Sequence, residues 1–357
     1  MNDTAQGPAV RTALIGYGFS GRTFHAPLIR SIAGLDLALV ASSDAAKVQA
    51  DLPGMSVMAD PLQAITDPAI ELVVIATPNS SHAPLARAAL AAGKHVVVDK
   101  PFTLDLHEAR ALIALAEERG RLLSVFHNRR WDSDYLGVKQ LIDAGTLGDV
   151  VHFESHFDRF RPEVRDRWRE QALPGSGVWF DLGPHLVDQA LQLFGLPESL
   201  QANLAVQRSG GQVDDWAHVV LNYGARRVIL HAGMVVTGGT ARFTVHGTEA
   251  SVVKALADRQ EQQLLAGITP GAPGWGEDGD DLRLYHGDEV RSLPTPAGDQ
   301  RNYYRAIHQA LRGGGANPVP PIQALAVMAV IEAAAQAAAE GRTMPLPLTG
   351  AELAAWS

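Results

Sequence analysis

Ala13-Leu14-Ile15-Gly16-Tyr17-Gly18-Phe19-Ser20-Gly21 is the stretch on which the fold turns. An apolar strand runs into G-x-G-x-x-G, and a helical pattern over 23–32 follows. The first glycine permits the tight turn, the second lets a pyrophosphate approach the backbone, and the third packs helix on strand. Backbone N–H groups at the helix start then hold the phosphates, so Gly16, Gly18, Phe19, Ser20 and Gly21 are candidate dinucleotide ligands. The hexapeptide alone is common; its place between strand and helix gives it weight.

Outward from that turn, strands are expected at 12–16, 35–41, 72–76, 95–99 and 122–126, with a weaker one near Val57. Helical patterns lie between them at 45–51, 81–92 and 106–119. Leu72-Val73-Val74-Ile75 is apolar at consecutive positions, as in a parallel sheet covered by helices on both faces. These repeats predict a doubly wound α/β (Rossmann) domain over 1–126. Beyond Val150 the pattern changes to strands at 150–159, 200–207, 217–223, 227–235 and 241–246, several of them alternating. They predict a largely antiparallel open sheet with 187–194 as a covering helix. Residues 267–300, rich in Gly, Pro and Asp, read as a long loop with one short strand. An alanine-rich helix, 322–340, is stopped by Gly341. The second domain is placed at 127–357, with that helix free to pack back on the first.

The chain has 357 residues, 46% of them hydrophobic and 19% charged, which suits a globular protein of two domains. Thirty basic against 39 acidic residues give a net charge of −9, so nucleic acid and anionic membranes are poor partners. The absence of cysteine excludes disulfides, thiolate zinc sites and cysteine nucleophiles. MNDTAQGPAV has neither a basic region nor a signal-like apolar stretch, and Ile322–Ile331 is too short to span a bilayer. A cytoplasmic location is expected.

The second strand ends in Ser42-Ser43-Asp44. An acidic residue there, about 20 residues past the glycines, accepts from the adenosine ribose hydroxyls and points to NAD. Alternatively Asp44 caps the next helix, the serines face the ribose, and Lys47 serves the 2′-phosphate of NADP. Three more clusters follow strand ends, where ligands bind in such sheets: Thr77-Pro78-Asn79 with His82, Asp99-Lys100-Pro101, and His127-Asn128-Arg129-Arg130-Trp131. Singly each reads as a turn or a surface charge; their convergence on one sheet edge favours a site. In Gly177–His185, a continuous helix puts Asp181 and His185 at i and i+4 on one face, although Pro184 marks either a kink or a first turn. A carboxylate beside an imidazole, without zinc-ligand spacing, favours acid–base work over metal binding. Arg159–Arg169 carries five arginines and Trp168. This stretch reads either as a solvated linker or as a pocket wall formed by Arg165 and Trp168, with Trp275 a second candidate wall.

These motifs resemble those of the Gfo/Idh/MocA oxidoreductases over nearly the whole length: GYGFSG, ATPN, the Lys100-Pro101 pair and D-x-G-x-H at 181–185. FHAPLI (24–29), HNRRWD (127–132), RPEVRDRWRE (161–170) and DLGPHLVDQALQLFG (181–195) are most similar to bacterial scyllo-inositol dehydrogenases. The family usually has Glu before the lysine, where this chain has Asp99. Its NADP-dependent members carry Arg where Asp44 stands, which supports NAD and leaves NADP possible. The resemblance implies a Rossmann domain, a large open sheet, and a homodimer or homotetramer built through that sheet. It also implies Lys100, Asp181 and His185 as the catalytic group, without a metal. Ser42, Ser43, Asp44, Thr77, Pro78, Asn79, His82, Asp99, Lys100 and Asn128 join the glycine turn around the cofactor. Arg130 joins Arg165, Trp168, Trp275 and the catalytic group around the substrate. The implied reaction moves a hydride between nicotinamide and a ring carbon of a cyclic polyol, scyllo-inositol and its 2-keto form foremost. An aldose dehydrogenase, or a non-enzymatic dinucleotide-dependent sensor, is the alternative.

Overall fold

The computed structural model describes residues 8–356; the opening MNDTAQG therefore lies outside the described residues. The chain forms two compact units. One comprises the residues up to 128 together with 260–275 and 299–325, the other 129–259, 276–298 and the residues from 326 onward. The stretch 127–357 is thus not one contiguous body, since two of its later segments belong with the N-terminal sheet.

That sheet has strands β1 (Val10–Ile15), β2 (Leu35–Ala41), β3 (Ser56–Met58), β4 (Leu72–Ile75), β5 (His95–Val98) and β6 (Leu123–Val125). All pairs are parallel, in the order β3-β2-β1-β4-β5-β6. Leu72, Val73, Val74 and Ile75 are all buried, as their unbroken apolarity requires. The order reverses between β1 and β4, and the backbone opens there for a ligand. The first helix begins with a wide turn, Gly21–His25, in which Ala26 donates back to Gly21, and continues as Ala26–Arg30.

The other unit holds an eight-stranded sheet in the order β14-β13-β12-β11-β7-β10-β9-β8. Its strands are β7 (Val150–Asp158), β8 (Ser199–Ala205), β9 (Trp216–Tyr223), β10 (Arg226–Gly233), β11 (Phe243–Gly247), β12 (Ser251–Lys254), β13 (Leu282–His286) and β14 (Glu289–Leu293). Every pairing is antiparallel except β7 with β10. The expected loop at 267–300 thus contains two strands, closed by a Gly287-Asp288 turn with Gly287 at φ +58°. On β7, Phe153, Ser155 and Phe157 are buried, while His152, Glu154, His156 and Asp158 occupy the other face.

The covering helix runs over Val178–Phe194, nine residues earlier than expected, and passes straight through Pro184. Its early turns are fixed by burial. Trp179 is fully buried and donates its indole N–H to the Ile331 carbonyl (3.1 Å), an anchor that outweighs the hydrogen bond lost at proline. The helix Pro321–Glu340 is long and apolar enough to cross a membrane. Its Ala326, Val327, Val330, Ile331, Ala333 and Ala334 are instead buried in the core of this unit.

Candidate active site

The glycine turn leaves β1 at Gly16, whose φ of +97° is left-handed and whose added Cβ would meet the Ala76 carbonyl oxygen at 2.7 Å. A Cβ on Gly21 would fall 2.2 Å from the Gly16 oxygen, so the helix packs on the turn only with glycine there. Nothing lies within 4 Å of the Cβ position of Gly18, which leaves open space beside the turn for a pyrophosphate. The residues present therefore fit a dinucleotide.

At the end of β2, Asp44 caps the helix Ala45–Asp51, accepting the Lys47 N–H at 2.9 Å; the Asp44 N–H is held by Ser42 Oγ (3.1 Å). The Lys47 ammonium reaches back to the Tyr17 carbonyl (3.1 Å), beside the glycine turn. Asp44 is thus a capping residue, and a cation stands where the strand end and the turn approach each other. A cleft of about 470 Å³ lies nearby, lined by Tyr17, Arg22, Asp51 and Leu264, but Thr77, Asp99 and Lys100 take no part in it. Burial raises the Tyr17 hydroxyl to about 12, with the Asp51 carboxylate adding to it.

Asp99 and Lys100 follow β5, and the Lys100–Pro101 bond is cis. The buried Asp99 accepts the Lys100 backbone N–H (2.8 Å) and lies 3.8 Å from His25 Nε2. Burial on its own would raise the Asp99 carboxyl. The neighbouring His25 ring, the Lys100 ammonium and a hydrogen bond from Ser20 outweigh it and hold the group well below the usual carboxylate range. His25 Nδ1 in turn meets the Tyr304 hydroxyl at 2.5 Å, and its ring packs on Phe126. A buried Tyr304–His25 pair thus stands beside Asp99 at the foot of the lysine loop.

His82 is not presented to a ligand. It is buried between the Pro101 carbonyl (2.8 Å from Nδ1) and the Thr77 carbonyl (3.0 Å from Nε2), tying the Thr77-Pro78-Asn79 turn to the lysine loop. Burial lowers its pKa, partly opposed by Asp99, so the neutral ring donates to one of the two carbonyls. Ser81 Oγ donates to Thr77 Oγ1 (2.7 Å), and Asn79 is buried beside it. Asn128 donates to Gln300 Oε1 (3.0 Å), whose backbone N–H is held by Gln260 (2.7 Å). Trp275 is buried in the same unit, its indole N–H on Asp299 (3.1 Å).

In the sheet unit, Asp181 and His185 share the helix Val178–Phe194 at i and i+4. His185 is buried beside the Phe157 ring (6.3 Å, edge to face), and Asp181 pairs with Arg169 at 3.4 Å. The helix start is held by Asp214, which accepts the Trp179 N–H at 2.7 Å. Burial raises the Asp214 carboxyl to about 6, with Asp215 adding repulsion against the donated backbone bonds.

Arg130, expected at the substrate, is engaged within its own unit. Its guanidinium forms a two-pronged, buried pair with Asp188 (2.9 and 2.6 Å), and the fork is therefore spent on structure. The arginine loop is anchored rather than solvated throughout. Glu170 accepts the Arg165 backbone N–H (2.9 Å) and pairs with Arg167 (2.7 Å) and Arg208 (3.0 Å), while the Arg165 side chain is left exposed. Arg169 stacks on the Trp168 ring at 4.4 Å and bridges that ring to Asp181.

A glycine-turn dinucleotide fold, followed by a mixed open sheet under a helix with Asp181 and His185 on one face, points to the class of nicotinamide-dependent oxidoreductases. Residues 10–127 match the profile described as "Oxidoreductase family, NAD-binding Rossmann fold", and 139–346 match "Oxidoreductase family, C-terminal alpha/beta domain". The chain belongs to the Gfo/Idh/MocA oxidoreductases. It is 52% identical to the uncharacterized oxidoreductase YdgJ of Escherichia coli, over 94% of this chain and 99% of that one. Identity to IolW of Bacillus subtilis, a scyllo-inositol 2-dehydrogenase (NADP(+)), is 37% over 94% of this chain and 96% of the relative. A crystal structure from Klebsiella pneumoniae superposes with a TM-score of 0.93 at 61% identity, over 98% of each chain. The chain is a dehydrogenase acting on CH–OH groups with a nicotinamide cofactor.

Proposed function

We propose that the substrate is a cyclic polyol, scyllo-inositol and its 2-keto form foremost, and that Lys100, Asp181 and His185 act on it together. The observation that carries this is the support given to each group: Lys100 beside the buried Asp99 anion, and His185 one turn from Asp181 on a single helix. When bound, the nicotinamide supplies the acceptor for the hydrogen that leaves the ring carbon with its electron pair. His185 takes the hydroxyl proton as the carbonyl forms. Lys100 donates to the same oxygen while negative charge builds on it. Asp181 orients His185 and contacts a neighbouring hydroxyl, with Arg169 and Trp168 behind it. In reduction His185 returns the proton.

The cofactor reading that the Asp44 cap supports is NADP, with Lys47 against the 2′-phosphate and Ser42 and Ser43 near the ribose. Likeness to an NADP-dependent scyllo-inositol 2-dehydrogenase favours the same choice. A homodimer or homotetramer through the outer face of the sheet, in the cytoplasm, completes the proposal. Initial rates of cofactor reduction across inositol isomers and aldoses, with NAD and NADP separately, test it. Preference for scyllo-inositol is the expected result. Preference for an aldose replaces the substrate, and tight cofactor binding without turnover on any member makes the chain a sensor.

A further inference from the structure

The outer face of the large sheet holds histidines and carboxylates that hydride transfer does not use. β7 and β10 are parallel neighbours with His156 directly opposite His231, and Asp158 is two residues further along the same face of β7. Their three donor atoms lie within 4.8 Å of one another. His156 Nδ1 is 3.4 Å from Asp158 Oδ2, and His231 Nε2 is 3.5 Å from Asp158 Oδ1. Tetrahedral zinc, with nitrogen and oxygen ligands about 2.0–2.2 Å from the metal, sets its ligand atoms roughly 3.3–3.5 Å apart.

We propose that His156, Asp158 and His231 bind a first-row divalent cation, zinc foremost, on the face of β7 opposite Phe157.

Two independent features point to a ligand. First, His156 Nδ1 and Asp158 Oδ1 are buried and neither makes a hydrogen bond, although the Asp158 side chain is only 3% exposed. A buried carboxylate oxygen and a buried imidazole nitrogen facing one point are costly without a partner, and a metal ion satisfies both. Second, the outward atoms are already held. His156 Nε2 is 3.0 Å from Glu154 Oε2, the carboxylate–histidine arrangement that turns the opposite nitrogen's lone pair toward a metal. Glu154 is steadied by His152 (2.8 Å), and Asp158 Oδ2 accepts from Thr240 Oγ1. His231 Nδ1 faces His218 Nδ1 at 3.4 Å. Three protein ligands of N, N and O type leave a fourth position for water or a small ligand.

The test uses the full chain, stripped with a chelator and titrated with Co²⁺ and then Zn²⁺. One equivalent of Co²⁺ per chain is expected, with visible d–d absorption that one equivalent of Zn²⁺ abolishes. His231→Ala and Asp158→Ala should each lose that stoichiometric site, and Glu154→Gln should weaken it about 10- to 100-fold. His246→Ala, on β11 outside the trio, should keep it. Absence of a stoichiometric site in the unaltered chain overturns the proposal, whatever the variants do. So does undiminished binding in folded His231→Ala and Asp158→Ala, or loss of binding in folded His246→Ala.

Discussion

Replacing Lys47 with alanine should cost the enzyme its use of NADP while sparing NAD. The ammonium stands beside the glycine turn, 3.1 Å from the Tyr17 carbonyl, and is half-buried. Two unit charges about 4 Å apart at an effective dielectric of 20 attract by about 4 kcal/mol. Solvent at this edge and the lysine's own ordering reduce that to the roughly 1.5–3 kcal/mol of a hydrogen bond to a charged group. Loss of that contact corresponds to about a 10- to 100-fold fall in kcat/KM for NADP, and the value for NAD should move by no more than about threefold. Asp44→Ala is the complementary perturbation. As a cap it should lower stability by about 1 kcal/mol and affect both cofactors alike. Initial rates at varied cofactor, with saturating polyol, give both ratios. A selective collapse of NAD turnover in Asp44→Ala would restore the ribose role to that carboxylate. Equal losses with both cofactors in Lys47→Ala would remove the phosphate from the lysine's surroundings.

Lys100→Ala and His185→Ala should each lower turnover by at least two orders of magnitude, while fluorescence titration still detects the reduced cofactor; near-native turnover in either would cancel that residue's role. Arg130→Ala strands the buried Asp188 and should destabilise the fold by about 3–5 kcal/mol in denaturant melts. An unchanged melt with a raised KM would return Arg130 to the substrate. The Asp214 carboxyl, raised to about 6, favours the folded state in its protonated form. Its contribution is full below about pH 4, the unfolded value, and is lost as pH rises through about 6. Asp214→Asn keeps an acceptor for the Trp179 N–H without the charge, so its Tm relative to the unaltered chain should climb between about pH 4 and 6 and level off above. A constant difference would show that this group is not the one titrating.

Sequence legibility followed burial. Leu72–Ile75 declared itself because both faces of β4 are covered and no polar residue interrupts the run. β13 and β14 did not, because Glu289, Val290, Arg291 and Ser292 are exposed and an edge hairpin needs no alternation. Pro184 hid the first turns of the site helix, since a proline signal is local whereas the Trp179 anchor comes from Ile331, far along the chain. That Asp181 and His185 lie on one helix was visible from their i, i+4 spacing. The Tyr304–His25 support under Asp99 was not, because its members are 279 residues apart. The two-pronged Arg130–Asp188 pair was equally hidden, because its members are 58 residues apart.

The N-terminal sheet is closed by residues that the ribosome delivers late. Gln260, Gln300, Tyr303 and Tyr304 are all buried in a unit whose strands are complete by Val125. About 200 residues separate Asn128 from the end of that unit's last segment, so at roughly 5–20 residues per second the nascent sheet waits on the order of 10–40 s for its final pieces. During that interval Asn128 lacks Gln300, and His25 lacks Tyr304. A fragment cut after the sixth strand would be held permanently in that unfinished condition. A portable cofactor-binding module taken from this chain would need the later segments restored, by a linker or by supply in trans.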